Sequence, residues 1–529
     1  MVPHASSRCR TFMVLLAAGL PFLCRAQTLA WAYDLGGHGQ DMAYSVAVAE
    51  EGNSVWTGFF SDVVDISFNG SGELAGRMGA SSMLLAKLRP DGTRIWAFAI
   101  PGAQGRDVAV DPDGNIQVVG NFVGRIDLDP SAAEGPPADA GTEPAGFVAS
   151  YGPTGAMRWA HVMDVEGNVF GWSITVSPTG TTYALLGVNR DGADHAELLC
   201  LDGAGNETWH LVFRPVVESA ALWDIAWDPA GGVFVAGQTD GTVDMDPLNP
   251  PDVRIPASGS LTSFLARYTE LGGCRSIVPL PPECFVLGIA FQGGEIYIAG
   301  LFFGPGSFDM DPGAGTHLLT PAPGSNSSFM ARYSSALALR GAFLWDGSPG
   351  SSIRINDIAV HPGGNFALTG GYSGTVDLDP DPERDRELLR RSIGTTGFFV
   401  STYDASGRPQ WDVTATGSDA LFGTHLAMRS TGSVFVSGAN WATGVDFDPS
   451  PTTERLLSSA GNIDMIMARY DPIWPPKPEI GRKPETGFHW PLDLHAPDYL
   501  ALLGVGVLIG WLLIRRRKRR RARRTPRER

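Results

Sequence analysis

A pattern of two short strands recurs seven times along the chain, and it constrains the fold more than any other feature. Each copy has an apolar strand, a turn containing Gly, and a second strand that ends in Gly. Apolar and small residues alternate on both sides of the turn, which predicts a β-hairpin in every copy. The closing glycines are about 63 residues apart on average and are Gly58, Gly120, Gly187, Gly237, Gly300, Gly370 and Gly438.

A second hairpin follows in most copies. Its first strand is apolar and ends in a tyrosine, at Tyr151, Tyr268, Tyr333, Tyr403 and Tyr470. A turn then leads to a strand centred on a tryptophan, at Trp96, Trp159, Trp209 and Trp411. Because these aromatic residues recur with the repeat, we expect them to pack the blades. Four strands in each of seven repeats predict an all-β fold, a seven-bladed β-propeller of four-stranded antiparallel blades over residues 27–472.

The order of the strands also predicts how the ring closes. The last copy ends after Tyr470 without a Trp strand, whereas the stretch around Trp31 forms such a strand before the first copy. We therefore expect the N-terminal strand to complete the last blade, which removes the exposed sheet edges. The alternative, an open solenoid of the same repeats, would leave both ends unpaired.

The N-terminus predicts export. Arg8 and Arg10 precede an apolar run, and small residues before Gln27 predict cleavage after Ala26, so residues 1–26 resemble a secretory signal peptide. A lipidated Cys24 is the weaker alternative.

The C-terminus predicts a membrane tether. Residues 473–498 are rich in proline and predict a semi-rigid linker. Residues 499–514 carry no charge, which predicts a single transmembrane helix. The basic segment 515–529 would remain cytoplasmic and place the propeller outside, in the periplasm or at the cell surface. Alternatively, this tail resembles a bacterial sorting signal that an enzyme removes, although no recognition motif precedes it.

The charge of the chain is distributed unevenly. The net charge is −16, but residues 515–529 contain eleven Lys or Arg and one Glu, so the rest of the chain carries about −26. A body of this charge should repel nucleic acid and attract cations. Separately, a propeller of this kind is expected to bind a protein or a glycan, and the ectodomain is expected to be monomeric.

Five repeats place an Asp-x-Asp-Pro segment just after the first hairpin. Alternate residues of a strand point the same way, so each pair presents two carboxylates on one face. Calcium suits such oxygen ligands, whereas the simpler interpretation is a turn capped by Asp side chains. The pairs are Asp127 and Asp129, Asp244 and Asp246, Asp309 and Asp311, Asp377 and Asp379, and Asp446 and Asp448. Calcium is the only cofactor that the sequence suggests, and none is required.

The remaining candidate residues are few. Cys274 and Cys284 are ten residues apart around a Pro-rich segment, which predicts a disulfide in a hairpin, with two buried thiols as the alternative. His161, His195 and His210 fall around the aberrant third copy and could form a metal cluster, although isolated histidines are the default expectation. No catalytic motif is present, and we assign no catalytic residue.

The seven copies resemble the bacterial beta-propeller repeat family often called SBBP. The resemblance covers about Trp31 to Asp471 and depends on the strand ending in Gly, the Asp-x-Asp-Pro segment and the Tyr-turn-Trp hairpin. It implies an exported or surface protein and no particular activity. The third copy departs most, because it is shorter and lacks the Asp segment.

Three functions are compatible with these features. The first is a membrane-anchored scaffold that binds a protein or a glycan. The second is a propeller-type hydrolase or lyase, which would need several acids or histidines converging at the central channel. The third is a sensor, although the predicted cytoplasmic segment is too short to form a signalling domain. Function would reside in the loops and the channel, since the fold alone does not specify it.

Overall fold

The computed structural model describes the chain from Gln27 to Pro472 with short gaps. The described residues are 27–49, 51–130, 138–163, 167–190, 193–214, 220–249, 253–255, 262–381 and 388–472. They all belong to one compact unit, Met1–Pro476. The predicted signal peptide, the linker, the transmembrane segment and the basic tail lie outside the described residues.

The described residues form seven four-stranded antiparallel sheets, which we call blades 1 to 7. Blade 1 consists of Asp41–Val48, Ser54–Asp65, Leu74–Leu88 and Arg94–Pro101. Blade 2 consists of Ala103–Val110, Ile116–Phe122, Ala145–Tyr151 and Met157–Val162. Blade 3 consists of Asn168–Val176, Thr182–Arg190, Ala193–Leu201 and Glu207–Phe213. Blade 4 consists of Ala220–Trp227, Val233–Thr239, Thr262–Tyr268 and Cys274–Pro282.

The remaining blades follow the same plan. Blade 5 consists of Cys284–Gln292, Glu295–Phe302, Ser328–Ser334 and Leu339–Trp345. Blade 6 consists of Ser352–Val360, Phe366–Ser373, Gly397–Tyr403 and Pro409–Ala415. Blade 7 consists of Leu421–Met428, Val434–Asn440, Asp464–Pro472 and the N-terminal strand Gln27–Leu35. The predicted seven-bladed propeller of four-stranded blades is confirmed.

The ring closes through the N-terminal strand, as expected. Gln27–Leu35 pairs antiparallel with Asp464–Pro472, from Gln27 opposite Pro472 to Leu35 opposite Met465. Trp31 and Leu35 are buried against Met465 and Met467 of the last repeat and against residues of blade 1. The first and last segments of the ring therefore share one sheet, which leaves no open end between blades 7 and 1.

The first strand of every blade lies on the inside of the ring. Each first strand contacts the first strands of both neighbouring blades, so the seven strands surround a central channel. Each also carries one bulged residue, which in every blade except blade 3 directly follows the residue opposite the repeat glycine of the second strand. A side chain at Gly58 or Gly120 would collide with a backbone carbonyl of the bulged strand, which explains the glycine of the repeat.

The second and third strands are mostly buried on both faces because neighbouring blades cover them, although the first half of Leu74–Leu88 in blade 1 is largely exposed. Ile116–Phe122 and Val434–Asn440 are buried at every position. Such strands are expected to be continuously apolar, whereas the inner and outer strands alternate. The core consists of layers between adjacent blades; one layer, for example, joins Leu198 and Leu211 of blade 3 with Val235 and Phe264 of blade 4.

Five short ribbons extend from the hairpins between the second and third strands. Each ribbon pairs the Asp-x-Asp-Pro segment with a returning segment. The pairs are Arg125–Ile126 with Ala138–Asp139, Val243–Asp244 with Arg254–Ile255, Phe308–Asp309 with Leu318–Leu319, Thr375–Asp377 with Leu389–Arg391, and Val445–Asp446 with Leu456–Leu457. Apolar residues of the ribbons, such as Val243 and Met245, are buried with the core between blades.

Candidate binding site at the channel mouth

The recurrent tryptophans and tyrosines connect parts of the ring. The indole N–H groups of Trp31, Trp96, Trp159 and Trp209 donate across 2.7–3.1 Å to carbonyl oxygens in the outer turn of the next blade. The hydroxyl groups of Tyr151, Tyr268, Tyr333, Tyr403 and Tyr470 donate across 2.8–3.1 Å to the carbonyl between the two Asp residues of their own repeat. These residues, which we call the rim contacts, therefore act in assembly of the ring.

The Asp-x-Asp-Pro segments form local turns. In each pair the first carboxylate accepts the backbone N–H of the second Asp at 2.9–3.2 Å, as in Asp127 with Asp129, Asp244 with Asp246, Asp309 with Asp311, Asp377 with Asp379, and Asp446 with Asp448. Among the described residues, no group of three or more His, Cys, Asp or Glu side chains is arranged to hold a metal ion. Calcium binding at these pairs stays a prediction.

The predicted disulfide between Cys274 and Cys284 is not present. Both are free thiols, as is Cys200, among the described cysteines. Cys274 begins the outer strand Cys274–Pro282, and Cys284 begins the first strand of the next blade, after the far end of that strand. An extended strand rises about 3.3 Å per residue, so the two Cα atoms lie far beyond the ~4.4–6.8 Å that a disulfide spans. The prediction was wrong because the segment between the cysteines is a strand and not a turn.

Two of the three histidines near the third repeat share one buried carboxylate. His195 Nε2 lies 3.2 Å from Glu197 Oε1, and His210 Nε2 lies 2.8 Å from Glu197 Oε2. Burial opposes ionisation of Glu197, but the contacts with the two histidines outweigh it and lower the pKa of Glu197 to about 2. No contact of His161 with this group is present in the described structure. The three histidines therefore do not come together as a metal site.

The residue after each bulge of the inner strands points toward the channel, and six of these residues are polar. They are Ser45, Asp107, Ser173, Asp224, Asp357 and His425, which we call the axial cluster; the seventh position is Gly288. The three acids come from blades 2, 4 and 6. His425 of blade 7 lies 3.6 Å from Asp357 and 4.0 Å from Asp107. The cluster thus joins side chains of blades that are not neighbours.

Hydrogen bonds of the axial cluster connect the inner strands in pairs. Asp107 accepts the backbone N–H of Ile174 at 2.8 Å, and Asp224 accepts that of Ile289 at 2.7 Å. Asp357 accepts the backbone N–H of Leu426 at 2.6 Å. Each carboxylate therefore bonds to the next blade, and the hydroxyl of Ser173 links Asp107 and Asp224 at 2.9 and 2.7 Å.

The proximity of these groups changes their protonation. Burial, together with the nearby Asp357 carboxyl, raises the pKa of Asp224 to about 7. Burial opposes protonation of His425, but the surrounding carboxylates outweigh it and raise the pKa of that imidazole. Near neutral pH the cluster therefore contains groups that can both release and accept protons, a property of sites that carry out acid–base chemistry.

The bulged residues directly precede the axial positions on the inner strands, and four of them contact one another. The Arg106 guanidinium lies 4.5 Å from the ring centre of Tyr44 and 5.9 Å from that of Trp172. Trp172 contacts Trp223 edge to face at 5.6 Å. These four residues, which we call the mouth arc, come from the first strands of blades 1 to 4. Trp172 is 38% exposed, so the arc presents an aromatic surface to solvent.

Sequence reasoning did not find the axial cluster or the mouth arc. The recurring motif begins at the apolar residue that follows each cluster position, whereas the residues just before it vary from copy to copy. Aligning the copies one or two residues earlier would have shown Ser, Asp, Ser, Asp, Gly, Asp and His at one position. It would also have shown Tyr, Arg, Trp, Trp, Leu, Asn and Thr at the preceding one.

Among the described residues, no helix is long and apolar enough to cross a membrane. The segment 499–514, for which a transmembrane helix is predicted, lies outside them. The membrane tether and the signal peptide therefore stay predictions.

Comparisons with known proteins give no family. No protein-family model matches the chain, and no curated protein matches its sequence. Virginiamycin B lyase from Staphylococcus aureus is a similar solved structure, with 8% identity, a TM-score of 0.38, and coverage of 83% of this chain and 99% of that one. The Dos1 propeller has 8% identity, a TM-score of 0.39 and coverage of 85% and 95%. Sqt1 from Chaetomium thermophilum has 11% identity, a TM-score of 0.35 and coverage of 84% and 100%.

Likenesses at this level carry no argument about function. The fold rests on the strand pairing described above, and the resemblance to the SBBP repeats stays a prediction.

Proposed function

We propose that the protein is a binding protein that captures a glycan or protein ligand at the mouth of its propeller channel. The observation that carries this proposal is the mouth arc, Tyr44, Arg106, Trp172 and Trp223, which holds three aromatic rings and a guanidinium at one entrance of a rigid ring. Tryptophan, tyrosine and arginine are the residues that most often dominate binding energy. The rim tryptophans, by contrast, are already engaged in contacts between blades.

The sequence features at the two ends complete the proposal. A cleaved signal peptide over residues 1–26 would deliver the ring outside the cytoplasm. A helix over residues 499–514 would tether it, with residues 515–529 on the cytoplasmic side. Protease treatment of intact cells should then digest the ring and spare a C-terminal tag. A tag that is digested together with the ring would contradict this topology.

The binding proposal can be tested with glycan and protein arrays probed by the full-length protein. Replacing Trp172→Ala should abolish or strongly weaken binding to any hit, because the ring is exposed at the arc. Leu271 is 85% exposed in a turn at the opposite end of the strands, so Leu271→Ala serves as the control for loss of a surface apolar group. Binding that is equally strong in both variants would contradict a site at the mouth.

A second function, hydrolysis or elimination at the channel, is favoured by one observation. Three carboxyl groups and an imidazole converge in the axial cluster, which is what a propeller-type enzyme would need. Their hydrogen bonds to backbone N–H groups of the next blade also give them a structural role, so binding remains the main proposal. Incubating array hits with wild-type protein and with His425→Gln tests catalysis: products that only the wild type forms would support the enzyme.

A further inference from the structure

The guanidinium of Arg106 is an unusual group in the channel mouth. The ring carries a strong excess of acids, yet no carboxylate of the described residues lies within ion-pair distance of Arg106. Its hydrogen-bond partners are the amide oxygens of Gln104 and Asn121, at 3.3 and 3.4 Å. The two flanking rings, Tyr44 and Trp172, hold the plane of the guanidinium by cation–π contact. The positive charge is thus positioned without being neutralised.

A second arginine without an ion pair to a described carboxylate lies on the first strand of another blade. Arg354, on the first strand of blade 6, donates through Nε to Asn356 Oδ1 at 2.7 Å, and no described carboxylate forms an ion pair with it. It lines a cavity of about 330 Å³ together with Asn356, Tyr372, Thr396 and Phe422. This cavity mixes hydroxyl, amide and aromatic groups.

The mouth also contains polar atoms that have no partner. Among the described residues, the buried indole N–H of Trp223 donates no hydrogen bond, and the buried amide oxygen of Gln238 accepts none. Gln238 follows Gly237, the repeat glycine of the second strand of blade 4, so it occupies the position that Asn121 holds in blade 2. Unsatisfied polar atoms are costly in a folded protein unless a water molecule or a ligand bonds to them.

We propose that the ligand of the channel mouth is an acidic glycan, whose sugar ring stacks on the mouth arc and whose carboxylate pairs with Arg106. This inference rests on the proposed binding function. Flat aromatic faces suit a sugar ring, the amide groups suit its hydroxyls, and the planar guanidinium suits a carboxylate bound through two hydrogen bonds. A protein ligand would instead call for a deep apolar pocket for an anchoring side chain, whereas Arg106 lies between two aromatic rings and donates to two amide oxygens.

The charge of the whole ring makes this proposal specific. Because the body of the chain is strongly negative, an acidic ligand gains no general attraction and would be repelled at long range. Binding of an acidic glycan must therefore come from short contacts at the mouth, in contrast to a basic surface that binds any polyanion.

The test compares three probes on the full-length protein by isothermal titration calorimetry. They are a hexamer of galacturonic acid, its methyl ester, and an acidic hexapeptide with a free C-terminus. We expect the uronate hexamer to bind at least about tenfold more tightly than its ester, since the ester keeps the rings and loses the charge-assisted hydrogen bonds. This comparison uses the unaltered protein and does not depend on how a variant folds.

Variants then locate the carboxylate. Arg106→Gln should reduce uronate affinity about tenfold or more and leave ester affinity nearly unchanged. Arg106→Lys should also weaken uronate binding, because it keeps the charge and loses the planar group. Arg158→Gln, on the exposed outer strand of the same blade, is the matched control and should bind like the wild type.

The outcomes separate this inference from the proposed function. Equal binding of the uronate and its ester would overturn the acidic-glycan proposal and leave a binding site at the mouth. Binding of the peptide alone would also overturn it, in favour of a protein ligand. Uronate binding that is equal in the wild type and Arg106→Gln would overturn the role of Arg106. Binding of none of these probes, together with no array hit, would overturn both proposals.

Discussion

The rim and the axis of this ring differ in how closely the seven repeats agree. At the rim, the same chemistry recurs: four tryptophans reach the next blade, and five tyrosines bond to the ribbon of their own repeat. At the axis, one position holds Ser, Asp, Gly or His in different blades, and the bulged position holds six different residue types in the seven blades.

This difference indicates where assembly and recognition are carried out. A contact needed to join every pair of blades must be repeated, so uniform positions report on the architecture. A ligand meets all seven blades at once around the channel, so each blade can contribute a different group. The residues of the axial cluster and the mouth arc differ from blade to blade. A single asymmetric ligand site therefore explains them better than seven equivalent packing contacts.

Deletion of the N-terminal strand, residues 27–35, should have the largest effect on the ring. It removes the outer strand of blade 7 and the buried side chains of Trp31, Ala32 and Leu35. Truncating one buried large side chain costs about 3–5 kcal/mol, so loss of the strand should cost at least about 5 kcal/mol. Chemical denaturation measures this loss. Deletion of residues 477–529 is the control. Equal stability of the two truncated proteins would contradict closure of the ring by the N-terminal strand.

Asp34→Asn should stabilise the ring at alkaline pH. Burial raises the pKa of Asp34 to about 7, and Asp34 Oδ2 accepts a hydrogen bond from Asn440 that an amide oxygen can also accept. Because the folded-state pKa exceeds the unfolded value, ionisation of Asp34 destabilises the fold as pH rises from about 4 through 7.

The substitution removes that penalty. The expected gain at pH 8 is up to about 4 kcal/mol, since one pKa unit corresponds to about 1.4 kcal/mol, and it should be nearly absent at pH 4. Unfolding curves at the two pH values measure this. A gain that is the same at both would show that Asp34 is already ionised without penalty in the ring.

Tyr403→Phe should destabilise the ring at any pH between 5 and 9. The hydroxyl of Tyr403 donates to Leu378 O at 2.8 Å and accepts from Trp345 Nε1 at 2.9 Å. Leaving buried groups without this partner costs about 1–3 kcal/mol. The same substitution at Tyr151, which lacks the indole contact, should cost less, and ligand binding should be unchanged in both. A loss of binding without loss of stability would contradict the assignment of assembly to the rim and of recognition to the axis.

Calcium should have the smallest effect. The first carboxylate of every Asp pair already accepts a backbone N–H, so addition of a chelator is expected to shift the melting temperature little, by about 2 °C or less. Thermal unfolding in millimolar calcium and in chelator makes the comparison. A large stabilisation by calcium, but not by magnesium, would show that the Asp pairs bind metal. The rim would then bind calcium in addition to its role in assembly.

Part of the structure could be predicted because its causes are local. The hairpins, their turns and the strand around Trp31 each follow from residues close together in sequence, and the number of strands leaves one place for the N-terminal strand. The disulfide prediction failed for a related reason: spacing alone does not reveal that the residues after Cys274 form an extended strand.

The sequence by itself determined a repeated antiparallel sheet and the need to close it, because strand periodicity and turn chemistry act over a few residues. Only the tertiary structure decided which side chains meet at the axis. Asp107, Asp224, Asp357 and His425 occupy one position of the repeat but are far apart in the chain. They meet because closure of the ring brings the first strand of every blade around one channel.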